Sequence, residues 1–399
     1  MRVLITGVTG FVGRYLARAL VDLGCEVYGL YRRRASGRKP EILGVSLIEG
    51  DLTDLTSILF ALDESSPDVI FHLGAQTYVP RSFIDPLETF RANCLGTQNL
   101  LEAVRLKDLD PVIVFAGSSE EYGLQIVSES QYERLLRKYG VIYPPPERIP
   151  ELPISEENPL RPMSPYAVSK VYGDFLMRNY HVSYGLKTVV SRAFNHEGAG
   201  RGHQFVTSKI VRQLVMFKQG KIDHIEIGNV NAFRDWSHVK DIVRGYLLLA
   251  EKGRYGDVYV QGSMRTNSVL TYILLTAEEL GYDVKAIKTM RGDKEVKSPT
   301  ELDDSEVFGV RFVKTKVDTM MLNEELHFDL KDKGIYIVTN RGNIPVVFDP
   351  KSFRPSDVPI LLSDTRKIER LGFKVEHSLR GIIRDQINYY LNPENQFIF

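Results

Sequence analysis

Ser118, Glu120, Tyr166 and Lys170 are residues whose types and spacing can do chemistry. They stand in Gly117-Ser118-Ser119-Glu120-Glu121-Tyr122-Gly123 and in Tyr166-Ala167-Val168-Ser169-Lys170. Tyr166 and Lys170 are four apart, so a helix puts them on one face. An ammonium beside a phenol favours the phenolate. The pair is then a base that can take a proton from a hydroxyl while a hydride leaves the same carbon. Ser118 offers a hydroxyl to hold the reacting oxygen. Glu120 adds a carboxylate for work on a neighbouring carbon, which a plain dehydrogenase does not need. The pattern predicts an enzyme that eliminates water. Glu121 has the same chemistry available, but alternation at a strand end is expected to turn it away and leave it structural. Tyr122 is expected to pack beside the pocket.

These segments need a frame to hold them. Short apolar runs at Val3–Thr6, Glu26–Leu30, Ser46–Ile48, Val69–His72, Val112–Ala116 and Thr188–Arg192 predict strands. Helical patterns fill Phe11–Leu23, Leu55–Leu62, Pro86–Leu106 and Pro165–Tyr184. Such alternation implies a doubly wound parallel sheet of the Rossmann type, α/β in class, with ligands at the carboxyl ends of its strands. The chemistry-bearing segments fall at those ends. His72, closing an apolar strand, is expected to be a satisfied core residue. After Ala193 the pattern changes to shorter elements, with helices expected at Phe205–Phe217, Val239–Glu251, Ser268–Leu280 and Leu379–Leu391. Lys333–Val347 reads as a hairpin turning at Asn340-Arg341-Gly342-Asn343, whereas Arg291–Ser305 is charged, lacks periodicity and reads as a loop or a poorly ordered stretch. Residues 1–193 are therefore expected to form the cofactor-binding domain, with segments near 237–262 returning to it. Residues 194–399 form mainly a smaller α/β substrate-binding lobe.

Gly7-Val8-Thr9-Gly10-Phe11-Val12-Gly13 follows the first strand and opens the first helix. Its glycines let the backbone approach a pyrophosphate, which the helix N-terminus attracts. The second strand ends in Tyr31-Arg32-Arg33-Arg34, where an NAD-binding chain would place an acidic residue. Guanidinium groups there suit the 2′-phosphate of NADP, so NADP is expected over NAD. Asp51-Leu52 after the third strand is placed at the adenine, although Asp51 also suits a loop cap. Leu73-Gly74-Ala75-Gln76 after the fourth is expected to line the cofactor.

Composition narrows the function classes. The 399 residues are 43% hydrophobic and 26% charged, with 51 basic and 51 acidic side chains. Bulk charge therefore points to neither nucleic acid nor an acidic membrane surface. Cys25 and Cys94 lack metal-ligand spacing and read as reduced core residues, and no cluster suggests a metal. The chain enters a strand at once and has no apolar run of membrane-span length, so a cytoplasmic protein is expected.

The glycine motif, the Ser118 segment and Tyr166-x-x-x-Lys170 together resemble the extended short-chain dehydrogenase/reductase family. Within it the chain is most similar to the GDP-mannose 4,6-dehydratases. That resemblance is carried by Leu73-Gly74-Ala75-Gln76, Ser118-Ser119-Glu120, Arg192-Ala193-Phe194-Asn195-His196-Glu197, Phe205-Val206-Thr207-Ser208-Lys209-Ile210, Arg234-Asp235-Trp236 and Asp349-Pro350-Lys351-Ser352-Phe353-Arg354-Pro355. It implies that His196 and Arg201 touch the cofactor. It implies too that Ser82, Asn195, Val206, Lys209, Arg234 and Arg354 hold a nucleotide-diphosphate sugar. The implied reaction oxidises C4, loses water across C5 and C6, and returns the hydride to C6. The resemblance also implies a homodimer paired through helices Pro86–Leu106 and Pro165–Tyr184, or a homotetramer in which the basic loop near Arg32–Arg38 reaches a neighbouring cofactor.

The chain departs from that pattern in particular places. Ser118 stands where the dehydratases usually have threonine, and Phe11-Val12 where they often carry Gln-Asp. The stretches 124–150 and 283–345 exceed the family length. The alternatives are a 4-keto-6-deoxymannose reductase, where an aspartate tends to replace the glutamate, a nucleotide-sugar 4-epimerase, and a non-catalytic NADP-binding sensor or scaffold.

Overall fold

In the computed structural model, residues 1–33, 40–353, 358–392 and 394–395 are described. The chain divides into two compact units. The first comprises Met1–Phe194, Val239–Gln261 and Asp364–Val375. Its centre is a parallel seven-stranded sheet. The strands are β1 (Arg2–Thr6), β2 (Glu26–Tyr31), β3 (Val45–Glu49), β4 (Val69–His72), β5 (Val112–Ala116), β6 (Lys187–Ala193) and a last strand, Val258–Gln261. They lie in the order Val258–Gln261, β6, β5, β4, β1, β2, β3. This is the doubly wound arrangement, and the order reverses beside β1, where such sheets bind ligands.

Alternation along β1 builds both cores. Val3 and Ile5 join Leu16, Ala17 and Leu20 of helix α1 (Phe11–Asp22) and Ile242, Tyr246 and Leu249 of the helix Val239–Lys252. Leu4 points the other way, onto Ile58 and Leu62 of α2 (Leu55–Ser65) and onto Leu100 and Val104. A strand buried on both faces needs an apolar run with no polar partner to alternate with, as Val3-Leu4-Ile5 provides. Each such side chain contributes about 1.5–3 kcal/mol on burial.

After β4 come α3 (Val79–Ile84), α4 (Pro86–Phe90), a π-helical turn at Arg91–Leu95 and α5 (Gly96–Leu106). The expected helix Pro86–Leu106 is therefore continuous but locally widened. The stretch after Gly123 carries a helix, α6 (Glu129–Tyr139), capped by the Ser128 hydroxyl. It has no fully buried residue, although Tyr132, Leu135, Leu136 and Tyr139 share one face. Helix α7 (Pro165–Tyr184) starts at the Ser164 cap with Pro165 in its first turn and stops at left-handed Gly185.

The second unit comprises Asn195–His238, Gly262–Ser363 and Glu376–Phe399. Helices Val206–Lys218, Val269–Glu279 and Leu379–Leu391 pack together, joined by the Tyr272 hydroxyl donating to Gln386 at 2.7 Å. A five-stranded sheet runs Glu295–Lys297, Val284–Thr289, Gly334–Thr339, Gly342–Phe348, Ile225–Ile227. The hairpin forms as expected, with Gly342 at φ +100° allowing the turn. Arg291–Ser305 is not a loop throughout. Glu295–Lys297 pairs with Val284–Thr289, and Leu302–Asp303 pairs with Lys314–Thr315. Strands of two or three residues are too short to show a period, so their partners decide them.

Candidate active site

The turn after β5 and the first turns of α7 bring the four chemical residues into the first unit together. Ser118, Glu120 and Glu121 lie on a tight turn, Ser119–Glu121 being one turn of 3-10 helix. The Ser118 hydroxyl accepts from Glu120 N–H at 3.2 Å, and Glu121 Oε1 accepts from Ser118 N–H at 2.7 Å. This reciprocal cap satisfies donors at both ends of the turn. Ser118 and Tyr166 are nearly buried, while Glu120 is half-buried.

Glu121 does diverge from Glu120, for a different reason than expected. β5 has already ended at Ala116, so turn geometry, not strand alternation, separates the two carboxylates. Glu121 is fully buried, with Oε2 3.3 Å from Arg192 Nε. Arg192 also holds Asp174 at 2.8 Å and donates to the Tyr122 hydroxyl at 3.1 Å. Tyr122 is fully buried beneath that guanidinium.

Lys170 is buried and donates to the Ala116 carbonyl at 2.7 Å, one residue before Gly117. Burial lowers its ammonium to about 8, against the opposing pull of Glu121 and Cys94. Burial raises the Tyr246 phenol, and Tyr166 adds to that shift.

His72 is indeed a satisfied core residue, and its bonds lead toward the site. Thr6 Oγ1 accepts from Gly74 N–H at 3.0 Å and is hydrogen-bonded to His72 Nδ1 at 2.8 Å. His72 Nε2 then donates to Thr97 Oγ1 at 3.0 Å, which donates to the Asn93 carbonyl at 2.6 Å. Asn93, in the π-helical turn, receives Gln76 N–H at 2.7 Å and donates to Ser169 Oγ at 2.8 Å. Ser169 in turn donates to the Tyr166 carbonyl at 2.7 Å. Asn93 and Ser169 were not among the expected residues; an asparagine within an apolar helix was the available signal. The strand ends are thus tied to the helix that carries Tyr166 and Lys170.

The residues expected at a dinucleotide gather around β1. Gly7 (φ +74°) lies so close to Gly74 that a Cβ would meet its nitrogen at 2.8 Å. A Cβ on Gly13 would come within 2.3 Å of the Gly7 carbonyl. Gly10 caps α1 without a side chain, and no acidic residue occupies the first turn at Phe11, Val12 and Gly13. Thr9 and Gly10 are exposed. A helix N-terminus with no carboxylate against it, reached over side-chain-free backbone, fits a diphosphate. Arg32 and Arg33 follow β2 and are exposed, Arg32 lying 3.8 Å from Asp51. Asp51 also caps its own loop through Thr53 N–H at 2.9 Å and the Thr53 hydroxyl at 2.8 Å. Leu52 packs where a Cβ on Gly74 would meet it at 2.6 Å. Leu73, Gly74, Ala75 and Gln76 follow β4 directly. Ser82 is buried and bonded to its own helix, donating to the Val79 carbonyl at 2.7 Å.

His196, Arg201, Asn195, Val206, Lys209 and Arg234 belong to the second unit. Arg201 lies 3.5 Å from the buried Glu197 and over the Phe205 ring. Asn195 and His196 share a short strand with Glu197, and Val206 opens a helix. Lys209 reaches the Ser352 hydroxyl at 3.4 Å. Arg234 is held by the carbonyls of Phe233 and Val358 at 2.8 and 2.7 Å. Arg354 and the loop from Arg34 to Arg38 lie outside the described residues.

The profile of the NAD dependent epimerase/dehydratase family matches residues 3–262. The chain belongs to that family. This epimerase/dehydratase is 31% identical over 404 residues to a GDP-mannose 4,6-dehydratase of Sinorhizobium fredii, covering 97% of this chain and 96% of that protein. It is 33% identical over 400 residues to the human GDP-mannose 4,6 dehydratase, covering 96% and 90%. Two solved structures share the fold. RMD from Pseudomonas aeruginosa, complexed with NADPH, superposes with TM-score 0.66 at 23% identity over 98% of this chain and 99% of that one. The UDP-glucose 4-epimerase of Thermus thermophilus, complexed with NAD, gives 0.69 at 22% over 98% and 100%. The chain is thus an enzyme of the nucleotide-sugar dehydratase/epimerase class. No group of three metal-ligating side chains occurs among the described residues, and no described helix is long and apolar enough to cross a membrane.

Proposed function

We propose that this enzyme is a nucleotide-sugar 4,6-dehydratase converting GDP-mannose to GDP-4-keto-6-deoxymannose with NADP held by its first unit. The observation that carries this reading is Glu120, set two residues from Ser118 on one turn and half-open beside the Tyr166 and Lys170 helix. Relatives named GDP-mannose 4,6-dehydratase, matched over nearly their whole length, support the substrate. NADP is favoured over NAD by Arg32 and Arg33, exposed at the end of β2, where guanidinium groups suit a 2′-phosphate.

The backbone at Gly7, Gly10 and Gly13, with Thr9, Phe11 and Val12, takes the diphosphate. Asp51 and Leu52 take the adenosine end, and Leu73 to Gln76 line the nicotinamide side. When bound, the nicotinamide ring supplies the oxidation at C4 and the balancing reduction at C6. Tyr166 takes the proton of the sugar 4-hydroxyl, and Lys170 favours the phenolate. Ser118 hydrogen-bonds the same oxygen as it becomes a carbonyl. That carbonyl acidifies C5, where Glu120 removes the proton and passes it to the departing 6-hydroxyl, and C5 is reprotonated as C6 is reduced. By the resemblance, Ser82, Asn195, Val206, Lys209, Arg234 and Arg354 hold the nucleotide-sugar, and His196 and Arg201 touch the cofactor.

The enzyme is a cytoplasmic homodimer on this reading. Phe90, Leu87 and Ile84 near α4 and Val168, Phe175 and Val182 on α7 leave apolar surface exposed on neighbouring helices. An exposed apolar patch of that kind suits a second copy of the same surface. Both cysteines are free, as in a reducing compartment.

The test is incubation with GDP-mannose and NADP⁺ followed by mass spectrometry of the sugar nucleotide. A product lighter by one water, with no build-up of NADPH, supports the dehydratase. An unchanged substrate, with consumption of NADPH by a 4-keto sugar instead, would move the assignment to the reductase.

A further inference from the structure

We propose that Asp385 is a positioning residue: from the C-terminal helix Leu379–Leu391 its carboxylate clasps the glycine-rich loop 198–205 and so sets where that loop presents Arg201. The consequence for the cofactor rests on the reading above that Arg201 touches it, whereas the hold on the loop rests on distances alone.

All the groups concerned belong to the second unit. Asn195–Glu197 pairs in parallel with Trp236–His238, His238 lying opposite Glu197, and the loop departs directly after Glu197. At that point Asp385 Oδ2 takes two bonds, from Ala199 N–H at 2.7 Å and from His238 Nε2 at 3.1 Å. The next residue of the helix, Gln386, reaches the far end of the loop. Its amide donates to Thr207 Oγ1 at 3.3 Å, and Thr207 donates to Glu197 Oε2 at 2.7 Å. That same oxygen lies 3.5 Å from Arg201 Nε. One turn on, the Tyr389 ring stands 3.8 Å from where a Cβ on Gly200 would be. Residues 385 and 389 share a helix face, so one side of the helix meets the loop at both Ala199 and Gly200.

The loop needs such a hold. Gly198, Gly200 and Gly202 give its backbone more freedom than other residues would, and Gly200 is left-handed at φ +80°. Within the loop, Arg201 N–H donates to the Gly198 carbonyl at 3.3 Å and Phe205 N–H to the Gly202 carbonyl at 3.1 Å. Arg201 rides on this turn with its guanidinium 3.6 Å from the centre of the Phe205 ring. Helix packing does not account for Asp385. Ile382, Ile383, Ile387 and Tyr390 form the buried face, while the Asp385 side chain is 34% exposed. A carboxylate within reach of water turns instead to a backbone N–H, and a bond to an ionised acceptor is of the stronger kind.

The test is a double-mutant cycle on NADP affinity, read by fluorescence titration, with deuterium exchange of loop 198–205 measured on the same proteins without cofactor. Asp385→Ala should speed exchange of the loop and weaken NADP about tenfold. Asp385→Asn keeps an oxygen for both donors and should behave as wild type. Because Asp385 acts through Arg201, adding Asp385→Ala to Arg201→Ala should weaken NADP no further. Equal weakening in both backgrounds, or unchanged loop exchange in Asp385→Ala, overturns the proposal. If Asp385→Ala does not fold, Asp385→Ser, too short to reach Ala199, takes its place under the same criteria. Should Arg201→Ala bind NADP as wild type does, the reading of Arg201 at the cofactor fails, and loop exchange still decides whether Asp385 holds the loop.

Discussion

Arg161 and Glu151 meet face to face, two guanidinium nitrogens on two carboxylate oxygens at 2.7 and 2.8 Å, both side chains nearly buried. Around them the stretch 124–150 is tied down. Glu151 takes Ile126 N–H at 2.6 Å, and Arg161 donates to the carbonyls of Leu124 and Pro144 at 2.9 and 2.7 Å. Removing one partner leaves a buried charge uncompensated. Arg161→Met should cost about 3–5 kcal/mol in urea unfolding and speed proteolysis within 124–150. A double variant, Arg161→Met with Glu151→Leu, should recover part of that loss. Equal stability of the single variant and wild type would show the pair is dispensable.

Glu120→Gln keeps the side-chain shape and removes the proton acceptor. Conversion of GDP-mannose should fall about 10²–10⁴-fold, with NADP affinity by fluorescence titration unchanged. Full retention of turnover would remove Glu120 from the reaction.

Gly13→Ala is a test of the cofactor turn. Its Cβ would press on the Gly7 carbonyl at 2.3 Å and on Val8 Cα at 2.7 Å, both backbone atoms that cannot step aside. The variant should lose about 1–3 kcal/mol of stability and bind NADP at least tenfold more weakly. Wild-type affinity would show that α1 can shift without harm.

His72 gives the protein a calculable response to acid. Burial and the nearby Lys170 charge hold it down to about 3 in the folded chain, against about 6.5 when unfolded. Below pH 6.5 the unfolded chain takes up a proton that the folded chain refuses. This contribution is therefore complete above pH 6.5 and is lost as pH falls toward 3, by about 1.4 kcal/mol per unit. His72→Gln should flatten the fall in urea-unfolding free energy between pH 6.5 and 4.5 by that slope. Parallel curves for the two proteins would count against it.

Phe90→Glu combined with Phe175→Glu places charge on the exposed apolar faces of α4 and α7. Wild type should sediment as a dimer or larger and the variant as a monomer, with secondary structure intact by circular dichroism. A monomeric wild type would dispose of the subunit interface.

The parallel sheet was readable because its strands are uninterrupted apolar runs closed by glycine or polar turns, as at Val69–His72 and Val112–Ala116. Helix α7 was equally plain, with a serine cap, a first-turn proline and a terminal glycine all agreeing. Helix α6 was passed over although Tyr132, Leu135, Leu136 and Tyr139 mark one of its faces, and it buries no residue fully. The strand pairs within Arg291–Ser305 were missed because two or three residues carry no period.

The chain by itself determined the strand–helix alternation and the glycine turn, and singled out Ser118, Glu120, Tyr166 and Lys170 as candidates, because local spacing and residue type are what those readings use. Only the tertiary structure decided that Glu121 is buried between Ser118 and Arg192, and that His72 and Asn93 link the strand ends to the Tyr166 helix. Asn93 and Ser169 are 76 positions apart in sequence, and Glu121 and Arg192 are 71. Which polar groups satisfy one another inside a core depends on how strands and helices pack, and no local pattern contains that information.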